Sequence, residues 1–89
     1  MKIDKVALHK EIVLELNEMY RKKNNDYGDS FKRTRDKHSN TALIHLNEKL
    51  DRLETLIGGQ EQKVNDETIE DTLLDLANYA ILELMERKL

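Results

Sequence analysis

The sequence contains no cysteine, no proline and no tryptophan, and only 4% of its residues are aromatic. Without cysteine, the chain forms no disulfide and offers no thiolate to a metal ion. The shortage of aromatic residues and the lack of proline, together with abundant leucine, glutamate and lysine, favour helices over strands. These features predict an all-α fold.

Neither sign of charge dominates, because the sequence has 18 acidic and 15 basic residues and a net charge of −3. A dedicated nucleic-acid-binding domain usually carries a basic excess, so we expect no such role. The sequence also lacks the run of about 20 apolar residues that a membrane span needs. Its charged first residues do not resemble the apolar core of a signal peptide. We therefore expect a cytoplasmic protein that does not associate with membranes.

The length of 89 residues predicts one all-helical domain over residues 1–89. Apolar periodicity predicts three helices in it, over about 4–24, from 39 or 40 to 57, and from 65 or 66 to about 88. The Asn, Asp, Gly and Ser residues of 24–31 predict a loop, and the basic stretch 32–38 predicts an exposed connection.

The third predicted helix is apolar on two faces. One face holds Ile69, Leu73, Leu76, Ala80 and Leu84, and the other holds Leu74, Ile81 and Met85. A helix that is buried on two sides needs more neighbours than a three-helix chain supplies, and a chain this short needs an extra source of stability. We therefore predict a three-helix subunit of an oligomeric helical bundle, a homodimer or homotetramer.

An acidic stripe lies at the margin of the second apolar face. Asp71, Asp75 and Asn78 are spaced by four and three residues, which places them on one side of a helix. Two carboxylates beside apolar residues repel each other and lose hydration, and a hard cation such as Mg²⁺ relieves both costs. The alternative is a solvated helix face, or carboxylates that pair with lysine or arginine.

A second acidic pair, Glu48 and Asp51, lies on the second predicted helix. Taken alone, the pair is typical of ordinary surface charge. If this face meets the acidic stripe of the third helix, four carboxylates converge on one metal cluster. Paired Mg²⁺ ions can then hold a phosphate chain and activate a water molecule.

Three cations lie near these acidic residues: Lys23 before the predicted loop, and Lys49 and Arg52 on the second helix. They are candidates for binding phosphate oxygens. Taken singly, each of them is better explained by solubility or by pairing with a residue three positions away on the helix. His9, His38 and His45 share no spacing, and we assign none of them to a metal.

The predicted loop combines Asp26, Tyr27 and Ser30 with Phe31, the only phenylalanine. Aromatic rings beside polar groups are suited to stacking on a nucleotide base. The alternative is that Tyr27 and Phe31 close the end of the helical bundle.

Three blocks of sequence, residues 23–31, 48–53 and 70–80, together resemble a known family. They are similar to the small phage and bacterial nucleotide-modification-associated domains, which are related to the MazG-like all-α nucleoside triphosphate pyrophosphohydrolases. The resemblance extends from Lys23 to Leu82. It implies a MazG-like helical subunit that dimerises or tetramerises around Mg²⁺ sites in a bacterial or phage-infected cytoplasm.

The resemblance also assigns roles to the acidic residues. Glu48 and Asp51 match the first acidic motif of the superfamily, and Asp71 and Asp75 match the second, with Asn78 one turn further on. Two positions depart from the pattern. Asn47 replaces a glutamate before Glu48, and the acid of the second motif stands four residues before Asp75 instead of three.

The resemblance implies a Mg²⁺-dependent hydrolase that cleaves a nucleoside or deoxynucleoside triphosphate into a monophosphate and pyrophosphate, with Glu48 and Asp75 as catalytic residues. The alternative is a non-catalytic, oligomeric nucleotide-binding protein, for example one with which a phage sequesters a host nucleotide or nucleotide signal. Either function uses the same expected ligand-binding residues, which are Lys23, Asp26, Tyr27, Ser30, Lys49, Arg52 and Asn78.

Overall fold

The computed structural model describes residues 2–27, 29–58 and 68–89, with only the backbone at 26 and 27. Over these ranges the chain forms four helices and no strand: α1 (Lys5–Tyr27), α2 (Ser30–Lys37), α3 (Thr41–Ile57) and α4 (Ile69–Lys88). The predicted all-α fold is confirmed. The predicted number of three helices is wrong, because part of the expected loop and connection forms α2.

Helix α1 begins after Asp4, whose carboxylate accepts hydrogen bonds from the backbone N–H groups of Val6 and Ala7 at 3.0 and 3.2 Å. This is the geometry of an N-terminal cap. The helix continues to Tyr27 and therefore includes the start of the predicted loop. The prediction placed its end too early because asparagine lowers helix propensity only modestly, whereas glycine, which first occurs at position 28, lowers it more.

Helix α2 has no buried residue, so apolar periodicity gave no sign of it. Charged side chains support it instead. Lys32 donates a hydrogen bond to Asp36 one turn later at 2.7 Å, and Arg35 and Lys37 place positive charge at its C-terminal end, where the helix dipole favours cations.

Helices α3 and α4 form the main packing contact of the described chain. Helix α3 starts after Asn40 and ends before Gly58, as predicted. Helix α4 begins at Ile69, and Thr68, which has an extended backbone, caps it. The predicted start at residue 65 or 66 lies outside the described residues. Thr68 and Asp71 form a capping box in which each side chain accepts a hydrogen bond from the other residue's backbone N–H.

The buried residues of this helix pair are few: Thr41, Ala42 and Leu53 on α3, and Thr72 and Asn78 on α4. Much of the predicted apolar surface stays exposed. On α4, Leu73 and Leu84 of the first predicted face are 49% and 56% exposed, and Ile81 of the second face is 37% exposed.

The chain divides into two compact units, residues 1–30 and 31–89. The first contains α1, and the second contains α3, α4 and nearly all of α2. The prediction of one domain stays a prediction. None of the described helices is both long enough and apolar enough to span a membrane.

Candidate functional site

An ion pair joins α3 to α4. The Nζ atom of Lys49 lies 3.3 Å from Oδ2 of Asp75, and the two side chains are only 25% and 21% exposed. Asp75 therefore has a lysine partner, which is one of the alternatives that the sequence left open for the acidic stripe. A half-buried lysine and carboxylate offer a ligand both a cation and a hydrogen-bond acceptor.

Two rings, from α2 and α3, lie against Tyr79 of α4, which is one helical turn from Asp75. His45 of α3 stacks on Tyr79 with ring centroids 4.3 Å apart and an angle of 5° between the rings. Phe31 of α2 lies on Tyr79 with centroids 6.3 Å apart and an angle of 38°. We call Phe31, His45 and Tyr79 the aromatic cluster.

Sequence reasoning missed Tyr79 and gave His45 no role. A signal was available in the spacing, because His45 precedes Lys49 by four residues and Tyr79 follows Asp75 by four. Each ring therefore lies one helical turn from a member of the ion pair. The packing of α3 on α4 then brings the rings and the charges of the two helices together.

The pKa of Tyr79 reflects its surroundings, which include the expected catalytic residues Glu48 and Asp75. Burial is the main cause that raises the pKa of Tyr79 above its usual value of 10, and the carboxylates of Asp75 and Glu48 raise it further, while Lys49 opposes them. Glu48 also lies 3.8 Å from Nδ1 of His45. We call His45, Glu48, Lys49, Asp75 and Tyr79 the α3–α4 site.

The other two expected metal ligands have different surroundings. Asp71 belongs to the capping box of α4, and the threonine three residues before it is the sequence signal for this role. Asp51 is exposed on α3. In the described part of the chain, no group of three or more acidic, histidine or cysteine side chains is placed to hold one metal ion.

The separation of these carboxylates limits the kind of Mg²⁺ site that they can form. Mg²⁺ commonly keeps several waters and binds through one or two carboxylates together with the phosphates of a substrate. Glu48 and Asp75 suit an ion that arrives with a nucleotide better than they suit a cage made by the protein alone. The assignment of Mg²⁺ stays a prediction.

The remaining expected ligand-binding residues lie in both units. In the second unit, Arg52 is half-buried on α3 and Asn78 is buried on α4 with 8% exposure. In the first unit, Lys23 and Ser30 are exposed. The side chains of Asp26 and Tyr27, which the sequence also indicated, lie outside the described residues. The structure thus brings together Lys49 and Asp75 from the predicted set.

A second ion pair between helices went unnoticed in the sequence. The guanidinium group of Arg35 on α2 donates two hydrogen bonds to the carboxylate of Glu83 on α4, at 2.8 and 3.0 Å. Arg87 donates a third at 2.7 Å. The hydrogen bonds from Arg35 and then Arg87 lower the pKa of Glu83 to about 2. Only the Glu83–Arg87 spacing was visible in the sequence, because Arg35 is 48 residues away.

Comparison with known proteins identifies the family of the chain but finds no individual relative. No curated protein and no solved structure matches it significantly. A family model described as nucleotide modification associated domain 1 matches residues 23–86, a range that includes α2, α3 and the α3–α4 site. The match spans most of the 89 residues, so the chain belongs to the nucleotide modification associated domain 1 family.

Proposed function

We propose that the protein binds a nucleotide at the α3–α4 site. The observation that carries the proposal is the position of the half-buried Lys49–Asp75 ion pair beside the stacked rings of His45 and Tyr79. A nucleotide needs a cation for its phosphates and a flat apolar surface for its base, and this surface offers both. Membership of a family associated with nucleotide modification supports the same class of ligand.

Lys49 is the residue that we assign to the phosphates. Its ammonium group already lies against a carboxylate at 3.3 Å, and a phosphate oxygen forms the same kind of charge-assisted hydrogen bond. Arg52 lies three residues further along α3 and is half-buried too. Because residues spaced by three lie on one side of a helix, Arg52 is the second candidate for a phosphate contact.

Our second candidate function is Mg²⁺-dependent hydrolysis of a nucleoside triphosphate to a monophosphate and pyrophosphate. The observation that favours it is that Asp75 lies 3.3 Å from Lys49 and Glu48 lies 3.8 Å from His45, so both carboxylates belong to the α3–α4 site. These two residues would hold Mg²⁺ together with the phosphates, and the bound ion would lower the pKa of a water nucleophile. A MazG-like relationship and a cytoplasmic location belong to this same proposal.

Isothermal titration with each of the four common deoxynucleoside triphosphates, with and without Mg²⁺, tests the binding proposal. We expect saturable binding of at least one of them to the full chain. If none binds at millimolar concentration, the proposal is wrong. Release of pyrophosphate in the same mixtures decides between the two candidates, because binding without release contradicts hydrolysis and leaves binding in place.

The chain offers a matched pair of variants for the role of Mg²⁺. Asp75→Asn changes a residue of the site, whereas Asp71→Asn changes the same residue type one turn away in the capping box. We expect Asp75→Asn to remove the Mg²⁺ dependence of binding and any turnover. Asp71→Asn should keep both and lower only the stability of α4. Equal effects of the two substitutions on Mg²⁺ dependence would contradict the assignment.

We also propose that the protein is a homo-oligomer, a dimer or tetramer. On α3, Leu43, Leu50 and Ile57 are spaced by seven residues and are 59%, 48% and 67% exposed. A stripe of this spacing is typical of helices that pack against another helix, and large exposed apolar patches are uncommon on monomers. Light scattering at micromolar concentration should report more than one subunit, and a stable monomer would contradict the proposal.

A further inference from the structure

Helix α2 has little in its own sequence to hold it in place. It has eight residues and none of them is buried, and helices this short are only marginally stable by themselves. Its position on the second unit therefore depends on contacts made by particular side chains.

A ring contact and an ion pair both link α2 to α4, and they have the same spacing on both helices. Phe31 and Arg35 are four residues apart on α2, and their partners Tyr79 and Glu83 are four residues apart on α4. Residues spaced by four lie one turn apart on one side of a helix. The ring contact and the ion pair are thus adjacent, and an arrangement that fixes one also fixes the other.

The ion pair is the more directional of these two contacts. Both nitrogens of the Arg35 fork donate to the two oxygens of Glu83, and such paired hydrogen bonds fix orientation as well as distance. The side chains of Arg35 and Glu83 are 27% and 18% exposed, so water competes with them less than at an open surface. A ring contact at 6.3 Å is less restrictive by itself.

We propose that Arg35 is a positioning residue: through Glu83 it holds α2 so that Phe31 stays against Tyr79, and these two rings take the base of the nucleotide. The base-binding part rests on the proposed nucleotide site, whereas the positioning part does not. Phe31 and Tyr79 are both half-buried, so each keeps surface for a ligand. Phe31 then becomes a determinant of affinity for the base, and Lys49 serves the phosphates.

The positioning role is tested without any ligand. The single phenylalanine makes its ring signals easy to assign, and a nuclear Overhauser effect between Phe31 and Tyr79 reports their contact. We expect Arg35→Gln to abolish this signal and Arg35→Lys to keep part of it. Arg87→Gln is the matched control, because it removes the other partner of Glu83 without touching α2. A signal of wild-type strength in Arg35→Gln would overturn the positioning role.

The base-binding role is tested by comparing two probes. One is the deoxynucleoside triphosphate that binds the wild-type chain most tightly, and the other is inorganic tripolyphosphate, which has no base. We expect Arg35→Gln and Phe31→Ala to weaken binding of the nucleotide roughly 5- to 100-fold, the range of base–aromatic stacking. Binding of tripolyphosphate should stay within about twofold, as should binding of either probe to Arg87→Gln.

The outcomes separate this inference from the proposed function. Equal weakening of both probes would overturn base binding by the rings and leave the phosphate site standing. Failure of the wild-type chain to bind any nucleotide would overturn the proposed function and the base-binding role with it, and the ring signal would still decide the positioning role. Circular dichroism of each variant shows whether α3 and α4 remain folded.

Discussion

Two ion pairs that join helices, Lys49–Asp75 and Arg35–Glu83, differ in geometry. The first has a contact of 3.3 Å between a flexible ammonium group and one carboxylate oxygen. The second has two hydrogen bonds of 2.8 and 3.0 Å from a planar guanidinium group, with Arg87 as a further donor. A lysine is a point charge on a flexible stem, whereas an arginine fork fixes the orientation of its partner.

The difference indicates a division of tasks within the second unit. An ammonium group on a flexible stem can exchange a carboxylate for a phosphate with little rearrangement, which suits a ligand-binding residue. An arginine held by two bonds loses more when its partner moves, which suits a residue that fixes a helix. We therefore assign binding to Lys49 and positioning to Arg35.

The largest effect is expected from removing the charge of Lys49. Lys49→Met should weaken nucleotide binding roughly 10- to 100-fold, because a hydrogen bond to a charged group contributes about 1.5–3 kcal/mol. Lys88→Met, at the exposed end of α4, is the matched control and should leave the dissociation constant unchanged. Titration calorimetry measures both. Equal affinities of the two variants would remove the distinction between the ion pairs.

A pH-dependent effect is expected from Glu83. Its pKa falls from 4.5 to about 2 in the folded chain, so the stabilisation is fully present above about pH 4.5 and is lost as the pH falls towards 2. Glu83→Gln should therefore lower the melting temperature at pH 7, and the difference from wild type should shrink below pH 4.5. Glu54→Gln, on the exposed side of α3, should show no such trend. A constant difference down to pH 2 would contradict the role of Glu83.

The smallest effect is expected at the start of α4. Thr68→Ala removes the side chain that caps the helix and should lower the free energy of unfolding by about 1 kcal/mol. Thr55→Ala removes a hydroxyl that bonds only to a carbonyl within α3 and should cost less. Urea unfolding compares the two. A larger cost at Thr55 would show that Asp71 and Thr68 do not act as a capping box.

The sequence predicted those parts of the fold that depend on local signals. The predicted bounds of α3, from 39 or 40 to 57, agree with a helix that follows Asn40 and ends before Gly58, although the Asn40 side chain forms no capping hydrogen bond. Helix α2 could not be found in this way, since charged side chains rather than buried apolar residues support it. The capping box of α4 has a local signal too, a threonine three residues before Asp71. The acidic residues at 71 and 75 led us to expect a metal ligand at Asp71 instead.

Local signals in the sequence likewise predicted only part of the candidate site. Lys49 and Asp75 were each singled out, yet their pairing follows from the packing of α3 on α4, which the spacing of one helix does not reveal. The contact between Arg35 and Glu83 spans 48 residues, and no periodicity in the chain relates the two. The spacing of His45 from Lys49 and of Tyr79 from Asp75 is visible in the sequence, but the stacking of the two rings follows only from the packing of α3 on α4.

Mapping amide chemical shifts during a nucleotide titration tests the central claim most directly. Each of the four common deoxynucleoside triphosphates is added to the isotopically labelled full chain, and the shift of every backbone amide is followed. We expect the largest changes around Lys49 and Tyr79 and smaller ones around Phe31, with Lys49→Met suppressing them. Shifts confined to α1, or no saturable shifts at millimolar nucleotide, would contradict a nucleotide site between α3 and α4.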